Sequence, residues 1–229
     1  MSDLPQSSPA RSSPARSSAA PAAGSAGPRR VVLASRNEKK IAELRRILAD
    51  SGLDIEIVGL PPGPDVPETG STFAENALLK ARAAAAGTGL PAIADDSGLA
   101  VDELAGMPGV RSARWAGSRG GTRAERDAAN NALLLAQLED VPPERRGAAF
   151  VCVVALVTPD GREHVVRGEM RGRLLTAPRG DGGFGYDPLF VADGQTRTNA
   201  ELSAEEKDAI SHRGRALREL ARILPSVLG

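Results

Sequence analysis

Two adjacent carboxylates and a hydroxyl, Asp95, Asp96 and Ser97, follow directly on the apolar run Leu90 to Ala94. Carboxylate oxygens are the ligands that hard divalent cations such as Mg2+ prefer, and a strand end opening into a loop leaves room for a substrate phosphate to complete the shell. Side chains alternate across an extended strand, so Asp95 and Asp96 point to opposite faces and only one of them enters a shared site. A surface Asp-Asp-Ser-Gly turn has the same composition, so chemistry here depends on other groups converging. Glu68, in a loop ahead of a helix, is a candidate second metal carboxylate, and Lys80 shares one helix face with Asn76 at i, i+4, where it could clamp a phosphate.

A second group surrounds the hand-over from the first apolar run, Val31 to Ala34, to a helical pattern. Ser35, Arg36, Asn37, Glu38, Lys39 and Lys40 lie where free backbone N–H groups and the positive end of a helix dipole face one small volume. A triphosphate would fit there, with Asn37 as N-cap, Ser35 donating its hydroxyl and Lys40 reaching an anion. The same residues would also serve an ordinary capped helix with solvated lysines. No Gly-Lys pair occurs in the chain, so this is not a Walker A loop.

A third group is Gly182-Gly183-Phe184-Gly185-Tyr186-Asp187-Pro188, whose glycines permit close backbone approach and whose Phe184 offers a flat face to a stacking ring. Aromatics make up 3% of the residues, so two in one glycine-rich loop point to ligand contact more than to chance. Lys207, His212 and Arg213 form the fourth. In one continuous helix Lys207 and His212 would stand roughly 140° apart and could not face the same ligand atom. Ser211 is a credible new N-cap and Gly214 weakens the run, so the spacing predicts a helix break there.

The elements that must position these groups read clearly. A strand at Val31 to Ala34 precedes a helix with Ile41, Leu44, Ile47 and Leu48 on one face, and a strand around Ile55 to Val58 precedes the proline-rich loop Pro61 to Pro67. Thr72 and Glu75 form a capping box that opens a helix over Phe73 to Ala86, and the strand ending in the aspartate pair follows. Thr122 with Glu125 opens a helix to about Glu139, and Ser203 with Glu206 opens a helical region that stops near Pro225. Phe150 to Val157 and Glu163 to Met170 flank a Pro-Asp-Gly turn as a hairpin, with a third strand at Arg173 to Thr176. Strands alternating with helices predict an α/β fold, a mixed sheet flanked by helices with a site at strand and helix ends.

Composition narrows the partners. Lys plus Arg and Asp plus Glu both total 29, so there is no net basic field to hold a polyanion and nucleic acid is not expected as a partner. No apolar run approaches the roughly 20 residues of a membrane span. The single cysteine, Cys152, lies in an apolar run as a small hydrophobe, which fits a reducing cytoplasm. Residues 1–28 are Ser, Pro, Ala, Arg and Gly with few large apolar side chains and are expected to be a disordered tail ahead of one domain over residues 29–229.

Taken in order, Ser35-x-Asn37-x-x-Lys40, Thr72-Phe73-x-Glu75-Asn76-Ala77, Ala94-Asp95-Asp96-Ser97-Gly98-Leu99, Gly183-Phe184-Gly185-Tyr186-Asp187-Pro188 and Ser211-His212-Arg213 resemble the inosine triphosphate pyrophosphatase family. The resemblance implies an elongated α/β fold with a central cleft, a homodimer, and Mg2+-dependent release of pyrophosphate from noncanonical purine nucleoside triphosphates. It makes Asp96 the catalytic base and a metal carboxylate, Glu68 a metal ligand, and Ser35 to Lys40 with Lys80 the triphosphate cradle. Ser97, Phe184, Gly185, Tyr186, Asp187, Lys207, His212 and Arg213 become nucleotide contacts. Two departures stand out. Many relatives have Thr-Gly-Asn where this chain has Ser35-Arg36-Asn37, and Pro67 stands ahead of Glu68 where some relatives carry a further acid.

Overall fold

Among the described residues, short apolar runs separated by helix-period segments pair into a single six-stranded sheet. The computed structural model describes residues 29–35, 38–50, 54–117 and 120–228, without the side chains of residues 38–40, 43 and 50. Arg36 and Asn37, the side chains of Glu38, Lys39 and Lys40, and the tail 1–28 lie outside the described residues. The strands are β1 (Arg29–Leu33), β2 (Ile55–Gly59), β3 (Ala92–Val101), β4 (Gly147–Val157), β5 (Glu163–Leu174) and β6 (Phe190–Ala192). The helices are α1 (Glu38–Asp50), α2 (Phe73–Thr88), α3 (Arg123–Gln137), α4 (Ala204–Ile210) and α5 (His212–Leu228).

The sheet order is β2-β1-β3-β4-β5-β6. β1 is parallel to both β2 and β3, and β3 through β6 run antiparallel, so the sheet is mixed as expected. β4 is covered on both faces, and its near-continuous apolar sequence reflects that. On one face Ile93, Cys152, Val154 and Leu156 pack against Ile41 and Leu44 of α1 and Leu217, Leu220 and Leu224 of α5. Fully burying each such leucine stabilises the fold by about 2 kcal/mol. On the other face Ala92, Ala94, Val151 and Val153 meet Ala77, Ala81, Ala84 and Ala85, and these small side chains let α2 lie close against the sheet.

All three capping boxes form, with Thr72, Thr122 and Ser203 each accepting from the N–H three residues on. The helix break also forms. Ser211 is extended at φ −64° and ψ 146° between α4 and α5, and its Oγ accepts from the Gly214 N–H at 2.9 Å.

Three expectations need correction. The aspartate pair is not at a strand end: β3 continues to Val101, because ten consecutive residues pair with β4 and that ladder outweighs the turn propensity of Asp-Ser-Gly. β5 runs unbroken to Leu174, leaving no separate strand at Arg173 to Thr176. The additional strand is instead β6, three residues too short to show a period. α5 passes Pro225 and ends at Leu228, since Leu224 and Val227 on either side of the proline are both buried.

Candidate active site

The strand alternation of β3 sorts the candidate residues onto its two faces. Asp96 shares the face of Ala92 and Ala94 and looks toward α2, and Asp95 and Ser97 share the face of Ile93 and look toward α5.

On the α2 face, Asn76 Nδ2 donates to Asp96 Oδ2 at 3.1 Å, and Lys80 Nζ lies 3.5 Å from Asp96 Oδ1. The same ammonium is 2.8 Å from Glu68 Oε1, so the two carboxylates predicted as metal ligands do come together, at one cationic point. Arg114 Nη1 stands 3.7 Å from the other Glu68 oxygen. Glu68, Lys80 and Arg114 border a cavity of about 1020 Å³ lined also by Ala34, Ser35 and the proline-rich loop. Ser35, the first residue of the predicted triphosphate cradle, therefore opens on the cavity that Glu68 and Lys80 line.

Burial pushes the Asp96 carboxyl above its ordinary range, with Glu68 and Asp95 adding to the effect and Lys80 and Asn76 opposing it. Burial also works against the Lys80 ammonium. The negative charges of Asp96, Glu68 and Asp95 outweigh it, so its affinity for a proton is raised and it stays charged.

On the α5 face, Arg213 Nη2 lies 3.4 Å from Asp95 Oδ2 and 3.5 Å from Ser97 Oγ. His212 stacks on Phe150 with ring centroids 5.2 Å apart. Lys207 pairs with the buried Asp187, whose Oδ2 also accepts from the Phe184 N–H at 2.8 Å. The Phe184 ring is half exposed, and Lys207 Nζ stands 4.6 Å from its centroid. Tyr186 is placed otherwise than expected. Its side chain is buried, its hydroxyl donates to the Ser112 carbonyl at 2.9 Å, and burial raises its pKa strongly, so it anchors the loop. The apolar ring of Tyr186 finds more area in the core than at a ligand.

The two groups meet at one stretch of sheet edge. β1 runs alongside β3 only at Ala92 and Ile93, and Ser112 closes the edge further on by accepting from the Leu99 N–H at 2.8 Å. Between those points Asp96 stands on one side of the edge and Ser97 with Arg213 on the other.

A family model for the Ham1 family matches residues 31–223. The chain belongs to the Ham1 family. It is 77% identical over 199 residues to the dITP/XTP pyrophosphatase of Frankia alni, covering 87% of this chain and 98% of the relative. It is 63% identical over 202 residues to the protein of that name from Nocardia farcinica, covering 86% and 96%. Among solved structures it resembles a nucleoside-triphosphatase / dITP/XTP pyrophosphatase from Mycobacterium abscessus at 58% identity and TM-score 0.72, covering 83% of this chain and 97% of that one. The Staphylococcus aureus Ham1 protein gives 41% identity and TM-score 0.77, covering 86% and 99%.

Two positions of this Ham1-family site escaped sequence reasoning. Asn76 shared a face with Lys80 but had no visible reason to touch Asp96, twenty residues on. Arg114 reaches Glu68 because the 3-10 turn Gly109–Arg114 folds over β3, and no local pattern announces that turn. Trp115, beside it, donates from Nε1 to Gln137 Oε1 at 2.7 Å and so packs toward the end of α3.

Proposed function

We propose that this Ham1-family chain is a Mg2+-dependent pyrophosphatase of noncanonical purine nucleoside triphosphates, dITP and XTP among them, that keeps such nucleotides out of the pool. The observation that carries the reading is the convergence of Asp96 and Glu68 on a single cation. Each places an oxygen within 3.5 Å of Lys80 Nζ, so a positive charge is already stabilised there. Among the described residues no cluster of three or more His, Cys, Asp or Glu gathers to hold an ion. Mg2+ fits that sparseness, because it is commonly held by one or two carboxylates with phosphate oxygens and water supplying the rest. When bound, it would neutralise phosphate charge and polarise the phosphorus.

The chain's own residues do the remainder. Asp96, oriented by Asn76 and with its proton affinity raised by burial, takes the proton of an attacking water. The anhydride between the α- and β-phosphates breaks, its bridging oxygen leaves with pyrophosphate, and the water oxygen stays on the other product. Lys80 and Arg114 offset the charge gathering on the leaving group. A nucleotide laid across the edge between Ile93 and Leu99 would reach both faces of β3, phosphates toward Asp96 and base toward Ser97, Arg213 and Phe184. Donors from Lys207, His212 and Arg213 suit the C6 oxygen of hypoxanthine or xanthine, and adenine would leave each buried donor unpaired at about 1 to 3 kcal/mol. The resemblance adds a homodimer, and the lone buried cysteine a reducing compartment.

The test is product analysis with ITP, dITP, XTP, GTP and ATP at varied Mg2+. Pyrophosphate from the first three, far faster than from ATP, is the expected result. Orthophosphate as product, or equal rates for all five, would refute the reading.

A further inference from the structure

Three residues one helical turn apart on α3, Arg123, Asp127 and Asn131, all reach the glycine-rich loop. The i, i+4, i+8 spacing puts them on one stripe. Asp127 Oδ2 accepts from the Gly185 N–H at 2.8 Å, and Asn131 Nδ2 donates to the Gly185 carbonyl at 2.9 Å. Both backbone polar groups of one residue are thus held by α3, at a glycine whose φ of +61° few other residues would adopt. Arg123 lies with its guanidinium carbon 4.5 Å from the centroid of the Phe184 ring and pairs with Asp127 at 3.8 Å. From α4, Lys207 stands at 4.6 Å from the same ring.

Phe184 is 53% exposed, an uncommon place for a phenylalanine, yet Gly185 beside it is pinned by two side chains and the Phe184 N–H is held by Asp187. A loose surface aromatic needs none of this. An aromatic that must present its face to a ligand gains from it, since ordering the loop beforehand removes that cost from binding.

We infer that Asp127 and Asn131 are positioning residues for base recognition, fixing Gly185 so that the Phe184 ring is preset for stacking, with Arg123 as its cationic support. This rests on the reading of Phe184 as the base platform. Neither residue touches the phosphate groups' side of β3, so their influence falls on the base alone.

The experiment measures the Kd of IMP by calorimetry and the inhibition constant of inorganic tripolyphosphate, on the full chain carrying Asp127→Ala, Asn131→Ala or Asp127→Asn. Losing one positioning hydrogen bond should weaken IMP binding about fivefold in each alanine variant. Asp127→Asn, which keeps an acceptor for the Gly185 N–H, should recover most of it, and tripolyphosphate should bind as to the wild type. In a Phe184→Ala background the alanine substitutions should add nothing. Unchanged IMP affinity in both alanine variants overturns the inference, as does an equal loss in the Phe184→Ala background or on tripolyphosphate, which would mark a general disturbance of the fold. If Phe184→Ala itself binds IMP normally, the base-platform reading falls and takes the inference with it. A loss there beside intact binding in the α3 variants sinks the inference alone.

Discussion

Asn76 holds Asp96 and the loop ahead of α2 together. Its Nδ2 donates to Asp96 Oδ2 at 3.1 Å while its Oδ1 accepts from the Gly70 N–H at 2.8 Å, and the side chain is fully buried. A fully buried amide with both ends satisfied is rigid, so the carboxylate it touches is held in one orientation.

Removing that amide should act on both rate and pH dependence. Asn76 lowers the proton affinity of Asp96, so Asn76→Ala should raise it further and move the acid limb of the pH–rate profile upward. The turnover should fall by about tenfold as orientation is lost. Steady-state pyrophosphate release across pH 5 to 9 checks both, and a limb that stays or moves down would contradict the assignment.

Asp96→Asn separates catalysis from stability. Loss of the base and of a metal oxygen should cost on the order of a thousandfold in turnover. The stability effect runs the other way. The folded-state pKa of Asp96 is raised, so the ionised carboxylate costs stability at neutral pH and the cost is absent below the unfolded value, near pH 4. The asparagine variant should therefore melt at a higher temperature than the wild type at pH 7, and the gain should vanish as pH falls toward 4. Melting curves at both pH values decide it.

Glu68→Gln should weaken the hold on Mg2+ while sparing the base. We expect roughly ten times more Mg2+ for half-maximal activity, with turnover at saturation reduced less than in Asp96→Asn. Titration of activity with Mg2+, alongside Mn2+ binding to the free protein followed by electron paramagnetic resonance, measures this. An unchanged requirement would remove Glu68 from the metal site.

Gly98 is where β3 meets the turn that carries Arg114. A Cβ there would lie 2.4 Å from Ser112 Oγ and 2.6 Å from the Gly109 carbonyl, both packed against the strand. Gly98→Ala should destabilise the fold by about 1 to 3 kcal/mol, as overpacking does, and disturb Ser112, which accepts from the Leu99 N–H. Urea denaturation gives the first, and a raised KM with the displaced Arg114 gives the second.

Much of this was legible in short windows of sequence. The capping boxes at Thr72, Thr122 and Ser203, the break at Ser211, and the assignment of Asp95 and Asp96 to opposite faces depend on periods and hydrogen bonds that span four residues or fewer. Glu68, Lys80 and Asp96 could be nominated in the same way, since each residue type suits its chemistry, Glu68 and Asp96 sit near predicted element ends and Lys80 shares a helix face with Asn76. What those windows could not show is the contact of Asn76 with Asp96, of Arg114 with Glu68, or of Asp127 with Gly185, which are separated by 20, 46 and 58 positions. The burial of the Tyr186 ring was hidden for the same reason: its neighbours in the chain are Gly185 and Asp187, and the core that claims its ring comes from β3, β4 and β5. Local propensity even favoured a turn at Asp96, and pairing with β4 across ten residues overrode it. Residue chemistry and short-range periodicity were properties of the chain itself. Which acids share a cation, and which side chains face a ligand, depended on the order in which the strands pair, because that order is set by burial summed over the whole sheet.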